Sequence, residues 1–232
     1  MNNWVKYQEE DYSSKDSEIT EASLLTDRIK KSLRFINPND IVLDLGCNNG
    51  LVSNVIFNME CEVIGVDLPK VIKIAKVKFP YIKFLSFNLN SSFPFEDNYF
   101  DCIMAGEIIE HIIDDEKFLK ECRRVLKDNG KLVTTTPNVA YIRNRVWLLL
   151  GRYVDVETHI HLYTFRNLKR KMAKAGFKKI IGVGAVYDLG KNNFISNFLA
   201  HFRYGYQNPL WYFFECIMPI SFKNTIIMVG IK

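Results

Sequence analysis

The run Ile41-Val42-Leu43-Asp44-Leu45-Gly46-Cys47-Asn48-Asn49-Gly50 constrains this chain more than any other stretch. It reads as an apolar strand that ends in an acid and a glycine-bearing turn, with a helical pattern starting at Leu51. Such a turn at the C-terminal edge of a strand lets a ligand approach the backbone, in the crevice where parallel sheets bind nucleotides. A second apolar strand, Glu62-Val63-Ile64-Gly65-Val66, ends in Asp67, 17 residues beyond Gly50. A carboxylate there can accept hydrogen bonds from both hydroxyls of a ribose. The dinucleotide pattern G-x-G-x-x-G is absent, because Gly46 and Gly50 are the only glycines of the turn.

From Asp40 onward, short β-branched runs alternate with helical patterns. Strands are expected at Ile41–Leu45, Glu62–Val66, Ile82–Phe87, Phe100–Ala105 and Lys131–Thr135, and later at Phe177–Val186 and Asn224–Ile231. The alternation predicts an α/β fold, a seven-stranded, mostly parallel sheet with helices on both faces. Thr164 is placed to N-cap a helix ending near Gly176. Ahead of the first strand, Ile19, Ala22, Leu25, Ile29, Leu33 and Ile36 trace a helical stripe. This divides the chain into an N-terminal helical segment, residues 1–37, and one domain over residues 38–232. The stretches 139–163 and 188–222 stand outside the alternation.

Composition sets broader limits. With 48% hydrophobic and 25% charged residues, the chain is expected to be globular rather than disordered. The N-terminus lacks a signal-like apolar stretch, and the longest apolar run, Leu210 to Ile220, is about half a membrane span. A cytoplasmic protein is expected. The five cysteines, odd in number and scattered, point to reduced, buried thiols. Net charge is +5, and the stretch from Thr158 to Tyr187 holds seven Lys and Arg residues and no acid. That stretch is either a footprint for an anionic partner or the solvated face of a helix buried through Phe165, Leu168 and Met172.

Asp44-x-Gly46-x-Asn48-x-Gly50 resembles the acid-x-G-x-G-x-G signature of class I S-adenosylmethionine-dependent methyltransferases. Three stretches agree: Phe93 to Asp101 resembles the lead into that family's fourth strand, Glu107-Ile108-Ile109-Glu110-His111 the motif after it, and Arg124 to Val133 the approach to its fifth. The resemblance covers about residues 38–185 and is nearest to ubiquinone-type O-methyltransferases and methionine-biosynthesis W-like proteins. It implies the Rossmann-like methyltransferase fold with an antiparallel last strand, S-adenosylmethionine as cofactor, and a site assembled from Asp44, Gly46, Cys47, Asn48, Gly50, Asp67, Leu68, Asn88, Leu89 and Glu107. Within that site Asp44 would order the methionine end, Asp67 the ribose, and Leu68 the adenine face. Two departures stand out. Asn48 replaces the usual middle glycine, although asparagine tolerates left-handed backbone. Asn88 replaces a frequent aspartate, leaving a neutral carbonyl to accept from the adenine amino group.

Methyl transfer to a hydroxyl needs orientation and a destination for the proton. Glu107, Glu110 and His111, spaced i, i+3, i+4, would share one face of a helix at the rim of the fourth strand. His111 is the candidate base. With His159, the same set resembles the divalent-metal site of small-RNA 2′-O-methyltransferases, so a metal-assisted route stands beside a metal-free one. A structural role for the two glutamates at a helix N-terminus competes with both.

The stretch Tyr141 to Tyr153 mixes apolar residues with Arg143, Arg145 and Arg152 and reads as a helix over the acceptor pocket, ended by Gly151. Ten aromatics fall between residues 192 and 222. Such density suits a peripheral contact with lipid or a lipid-linked substrate, a cap folded on the sheet, or a homodimer contact. The expected activity is O-methylation of a small-molecule, sugar-linked (glycan) or lipid-linked acceptor. The alternatives are an RNA ribose 2′-O-methyltransferase, although no nucleic-acid module is visible, and a cofactor-binding scaffold without catalysis.

Overall fold

The computed structural model describes residues 26–152, 158–185 and 218–232. Most of the aromatic-rich stretch, and residues 1–25 of the N-terminal segment, lie outside the described residues. Seven strands form one sheet in the order β3-β2-β1-β4-β5-β7-β6. They are β1 (Ile41–Leu45), β2 (Glu62–Val66), β3 (Lys83–Leu85), β4 (Phe100–Gly106), β5 (Leu126–Pro137), β6 (Lys179–Ala185) and β7 (Thr225–Ile231). β7 runs antiparallel to both β5 and β6, and every other pair is parallel. The expected α/β class, strand count and antiparallel last strand are all observed.

Among the described residues there are six α-helices: α1 (Asp27–Leu33), α2 (Leu51–Phe57), α3 (Pro69–Lys78), α4 (Asp115–Val125), α5 (Ile142–Leu149) and α6 (Phe165–Lys174). The sheet separates two buried clusters, one around Leu43, Ile103, Phe118 and Leu132, the other around Val42, Ile56, Phe84 and Val133. Neighbours along β1 and β5 thus point to opposite faces, the alternation that a sheet covered on both sides requires. Ile29 and Ile36 of the leading segment belong to the second cluster, and Lys31 Nζ donates to the Gly184 carbonyl of β6 at 3.0 Å. α1 is therefore packed against the sheet.

The basic stretch is largely explained by α6. Leu168 and Met172 are buried, Thr164 closes a capping box with Asn167, and Arg166, Lys169 and Arg170 are exposed. Lys171 and Lys174 pair at 2.8 Å with Asp115 and Glu116 of α4. Asp115 also accepts from the Tyr163 hydroxyl at 2.6 Å. Burial opposes ionisation of Asp115, but the Lys171 and Tyr163 hydrogen bonds outweigh it and hold its carboxyl below the usual range. Tyr163→Phe should cost about 1–3 kcal/mol of stability, the cost of one buried hydrogen bond to a charged group. Denaturant unfolding of the two proteins measures it, and a difference under about 0.5 kcal/mol would show that Lys171 alone satisfies the carboxylate.

Candidate active site

β1 sits between β2 and β4 in parallel register, with Leu45 opposite both Val66 and Ala105. Parallel strands end at the same edge, so this register brings Asp44 and the following turn, Asp67, and the residues after β4 to one rim. Connections leave β1 and β4 in opposite directions there, the switch point at which open α/β sheets bind ligands.

Three residues of the turn after β1 have positive φ: Gly46 (75°), Asn48 (48°) and Gly50 (82°). The asparagine thus adopts the left-handed geometry that its position demands. The amides of Gly46 and Cys47 both donate to the Val66 carbonyl, at 2.8 and 3.1 Å. Cys47 is buried, and burial foremost, with Asp44 and Asp67 nearby, raises its thiol far above the usual range. Its side chain is accordingly an inert packing group beside Gly65. A Cβ at Gly50 would fall 2.8 Å from Phe84 Cζ, and one at Gly46 would run into the side chain of Ile108. Gly46 therefore lets the β1 turn and the segment after β4 meet.

Asp44 is 3% exposed and accepts from the Ser53 hydroxyl at 2.6 Å. Burial, reinforced by Asp67 and opposed by Ser53, raises its carboxyl to about 6. Asp67 accepts from the amides of Asn48 and Leu68, each at 2.7 Å. Burial raises its carboxyl too, against both hydrogen bonds. The carboxylate thus ties the two turns together and keeps further lone pairs for a ligand. Asn88 is exposed, and its side-chain carbonyl accepts from the Asn90 amide at 2.9 Å, a local turn that occupies part of the acceptor capacity expected for adenine. Leu89 packs at the margin of the core.

The segment after β4 departs from expectation. Glu107, Glu110 and His111 do not share a helix: Glu107 has φ 56°, and only Ile109–His111 form a 3-10 turn. The cause lies in β5, since the Glu107 amide donates to the Thr135 carbonyl at 3.0 Å and so extends the sheet pairing by one residue. Glu107 Oε1 accepts from the Thr135 hydroxyl at 3.1 Å and lies 4.0 Å from Arg28 Nε of α1. Arg28, which also donates to Thr135 at 3.2 Å, is a site neighbour that sequence reading missed. Nothing local in the sequence signals it, since Arg28 is an ordinary polar position beside the apolar stripe.

Glu110 turns inward and is 1% exposed, with Thr136 beside its carboxylate. Burial foremost, then Glu107, raises its carboxyl. Its backbone carbonyl accepts from the amides of Ile160 and His161, at 2.8 and 3.2 Å, which pins the 158–161 segment against the turn. His111 Nδ1 lies 2.9 Å from the Thr158 carbonyl. A carbonyl can only accept, so Nδ1 carries the proton and the neutral ring presents its lone pair at Nε2. Burial lowers the His111 pKa, against Thr158 and Glu107, which favours that neutral form. The His159 ring stands edge-on to His111, with centroids 5.0 Å apart.

A methyltransferase-domain family model matches residues 18–180. The chain belongs to that family. The match, the fold and the β1 turn agree on a class I S-adenosylmethionine-dependent methyltransferase domain. It is 36% identical over 103 residues to a ubiquinone biosynthesis O-methyltransferase of Bradyrhizobium diazoefficiens, covering 42% of this chain and 40% of that one. It is 32% identical over 98 residues to a protein of Mycobacterium tuberculosis named as a probable S-adenosylmethionine-dependent methyltransferase, covering 42% of this chain and 35% of the relative. The chain thus spans well under half the length of these two curated relatives. Among solved structures, it resembles an S-adenosylmethionine-dependent methyltransferase of Archaeoglobus fulgidus, with a TM-score of 0.64 and 17% identity over 98% of this chain and 99% of that one. It also resembles phosphoethanolamine N-methyltransferase 2 of Haemonchus contortus, with a TM-score of 0.61 and 18% identity over 88% of this chain and 52% of that one. At such identities the shared property is the fold. Enzymes that methylate oxygen and nitrogen both occur among these similar proteins.

Proposed function

We propose that this methyltransferase acts on an oxygen of a small, sugar-linked or lipid-linked acceptor that binds where the turn after β4 meets the segment after α5. The observation that carries the reading is His111. It stands at the rim of β4, with Nδ1 held by Thr158 so that Nε2 can take a hydroxyl proton as the oxygen attacks the methyl carbon. The C–S electron pair then passes to sulfur, leaving S-adenosylhomocysteine and the methylated acceptor. Asp44, Gly46, Asn48, Gly50, Asp67, Leu68, Asn88 and Leu89 hold the cofactor, and Glu107 orients the rim through Thr135 and Arg28.

A lipid-linked acceptor has support of its own. α5 exposes Val146, and Leu148, Leu149 and Leu150 follow at 54%, 87% and 67% exposure. Arg143 and Arg145 on the same helix stack on Trp147 and Phe222, at 4.5 and 4.3 Å from the ring centroids. Apolar side chains beside arginines suit an acyl chain with an anionic head. Among the described residues, no helix is long and apolar enough to cross a membrane. The test is transfer of a labelled methyl group into fractionated lipid, glycan, RNA and metabolite pools. Label in an O-methylated lipid or glycan is expected; label confined to nitrogen or to RNA would overturn the reading.

Cofactor binding should itself depend on pH. The cofactor's ammonium group favours ionised Asp44, whose carboxyl sits at about 6 in the free protein. Binding below that pH must release a proton, so affinity should fall by up to about tenfold per pH unit there and level off above it. The raised Asp67 acts in the same direction. Calorimetry with S-adenosylhomocysteine from about pH 5 to about pH 8 measures this, and an affinity that is flat or rises on acidification would contradict it.

A further inference from the structure

We infer that the outer face of α3, together with the start of β3, docks this protein on an anionic lipid surface. Between Asp67 and Glu96 the sequence holds no acid and no arginine, but five lysines: Lys70, Lys73, Lys76, Lys78 and Lys83. All five are exposed, and among the described residues none of them forms an ion pair. α2, whose Phe57 ring packs 5.1 Å from that of Tyr81 just after α3, carries no charged residue. Glu60 and Glu62, which follow α2, pair with none of the five. The positive charge of this face is therefore left for something outside the chain.

The helix presents more than charge. Ile72 and Ala75 are buried, and the opposite side carries Lys70, Lys73, Ile74 and Val77 at i, i+3, i+4 and i+7. Ile74 is 52% and Val77 85% exposed, so two aliphatic side chains stand in the middle of the lysines. A face meant only for water would be polar there. Tyr81 and Phe57 continue the apolar surface beyond the end of the helix. Lysines whose ammonium groups reach lipid phosphates, around apolar tips that enter the headgroup boundary, are the arrangement of a helix lying on a bilayer.

The side-chain types favour lipid over nucleic acid. Arginine is the residue suited to planar, bidentate recognition of single phosphates, and it is absent here. Lysine point charges suit a diffuse layer of anionic headgroups, where each contributes about fivefold in partitioning. The two exposed rings offer no platform for stacked bases, because they pack on each other and the Tyr81 hydroxyl donates to Asn54 at 2.8 Å. α3 follows β2, on the half of the sheet away from β4 and β5, so docking through it leaves the proposed acceptor position uncovered. The inference does not depend on which acceptor is methylated.

The test is co-sedimentation of the full chain with phosphatidylcholine vesicles prepared with and without phosphatidylglycerol. Binding is expected only to the vesicles that contain phosphatidylglycerol, and it should weaken as salt rises. Lys73→Ala/Lys76→Ala/Lys78→Ala should lower partitioning by roughly 100-fold. Val77→Ser should lower it by about threefold and keep the salt dependence. Lys169→Ala/Arg170→Ala, on the exposed basic side of α6, should bind like wild type. Every substituted side chain is exposed, and an unaltered affinity for S-adenosylhomocysteine shows that each variant is folded. No binding to anionic vesicles, unchanged partitioning in the triple variant, or an equal loss in the α6 variant would overturn the inference. Tighter binding of a single-stranded RNA than of the vesicles, lost in the same triple variant, would also overturn it and assign the face to nucleic acid.

Discussion

Replacing His111 with alanine is expected to lower kcat for methyl transfer by roughly 10²–10⁴-fold. Binding of S-adenosylhomocysteine should stay within about threefold of wild type, because the cofactor grip lies on β1 and β2 rather than on the turn after β4. His111 is partly buried and neutral by geometry as well as by environment, since Nδ1 keeps its proton and donates it to the Thr158 carbonyl while desolvation disfavours a second proton. Without the ring, the acceptor hydroxyl loses both its proton route and a wall of its site. Comparison with His159→Ala separates the two chemistries. If His111 works as a base, His159→Ala keeps most of the activity; if it works as a cation ligand, both variants fall together and added Mn2+ cannot restore either. A His111→Ala enzyme with kcat within about threefold of wild type would remove His111 from the reaction.

How far the sequence foretold this site depends on the range of the contacts that build it. β1 and β2 occupy the residues expected of them, because each is a mostly apolar run with an acid at or just past its C-terminal end, a pattern that buried parallel strands impose locally. The helix after Thr164 is equally local, since its capping box lies within four residues. β3 is shorter than Ile82–Phe87, spanning only Lys83–Leu85, as it sits at the sheet edge with β2 as its single partner. The segment from Glu107 to His111 was misread as a helix because its spacing fits one, whereas the deciding contact comes from Thr135, 28 residues away. Arg28 reaches that same threonine across 107 residues. His159 meets His111 only because residues 158–161 return to Glu110 after α5. Periodicity carries no information about such returns, so His159 could be grouped with His111 only through the family resemblance, and the fold then brings the two rings together. Glu107 turns instead to Thr135 and Arg28, and the burial of Glu110 follows only from the fold.

Asp67→Ala should weaken cofactor binding by roughly 10²–10³-fold, the second large effect. Two hydrogen bonds from ribose hydroxyls to an ionised carboxylate contribute about 1.5–3 kcal/mol each, part of which is recovered by water in the variant. A further loss comes from the free protein. Asp67 Oδ2 holds the Asn48 amide at 2.7 Å, and Asn48 carries the left-handed φ of 48° on which the turn depends. Alanine releases that residue, and the cofactor must then order the turn as it binds. Asp67→Asn divides the contributions: its carbonyl can keep the Asn48 amide, but it accepts from the ribose as a neutral group at one oxygen only, so a loss of about tenfold is expected. Burial already disfavours the charge of Asp67 in the free protein, so donors that satisfy it gain more than they would at an exposed carboxylate. Calorimetry with S-adenosylhomocysteine on wild type and both variants measures the series. Equal losses in the two variants would mean that the ribose bonds dominate and the turn needs no anchor, while an unchanged affinity in Asp67→Ala would place the cofactor ribose elsewhere.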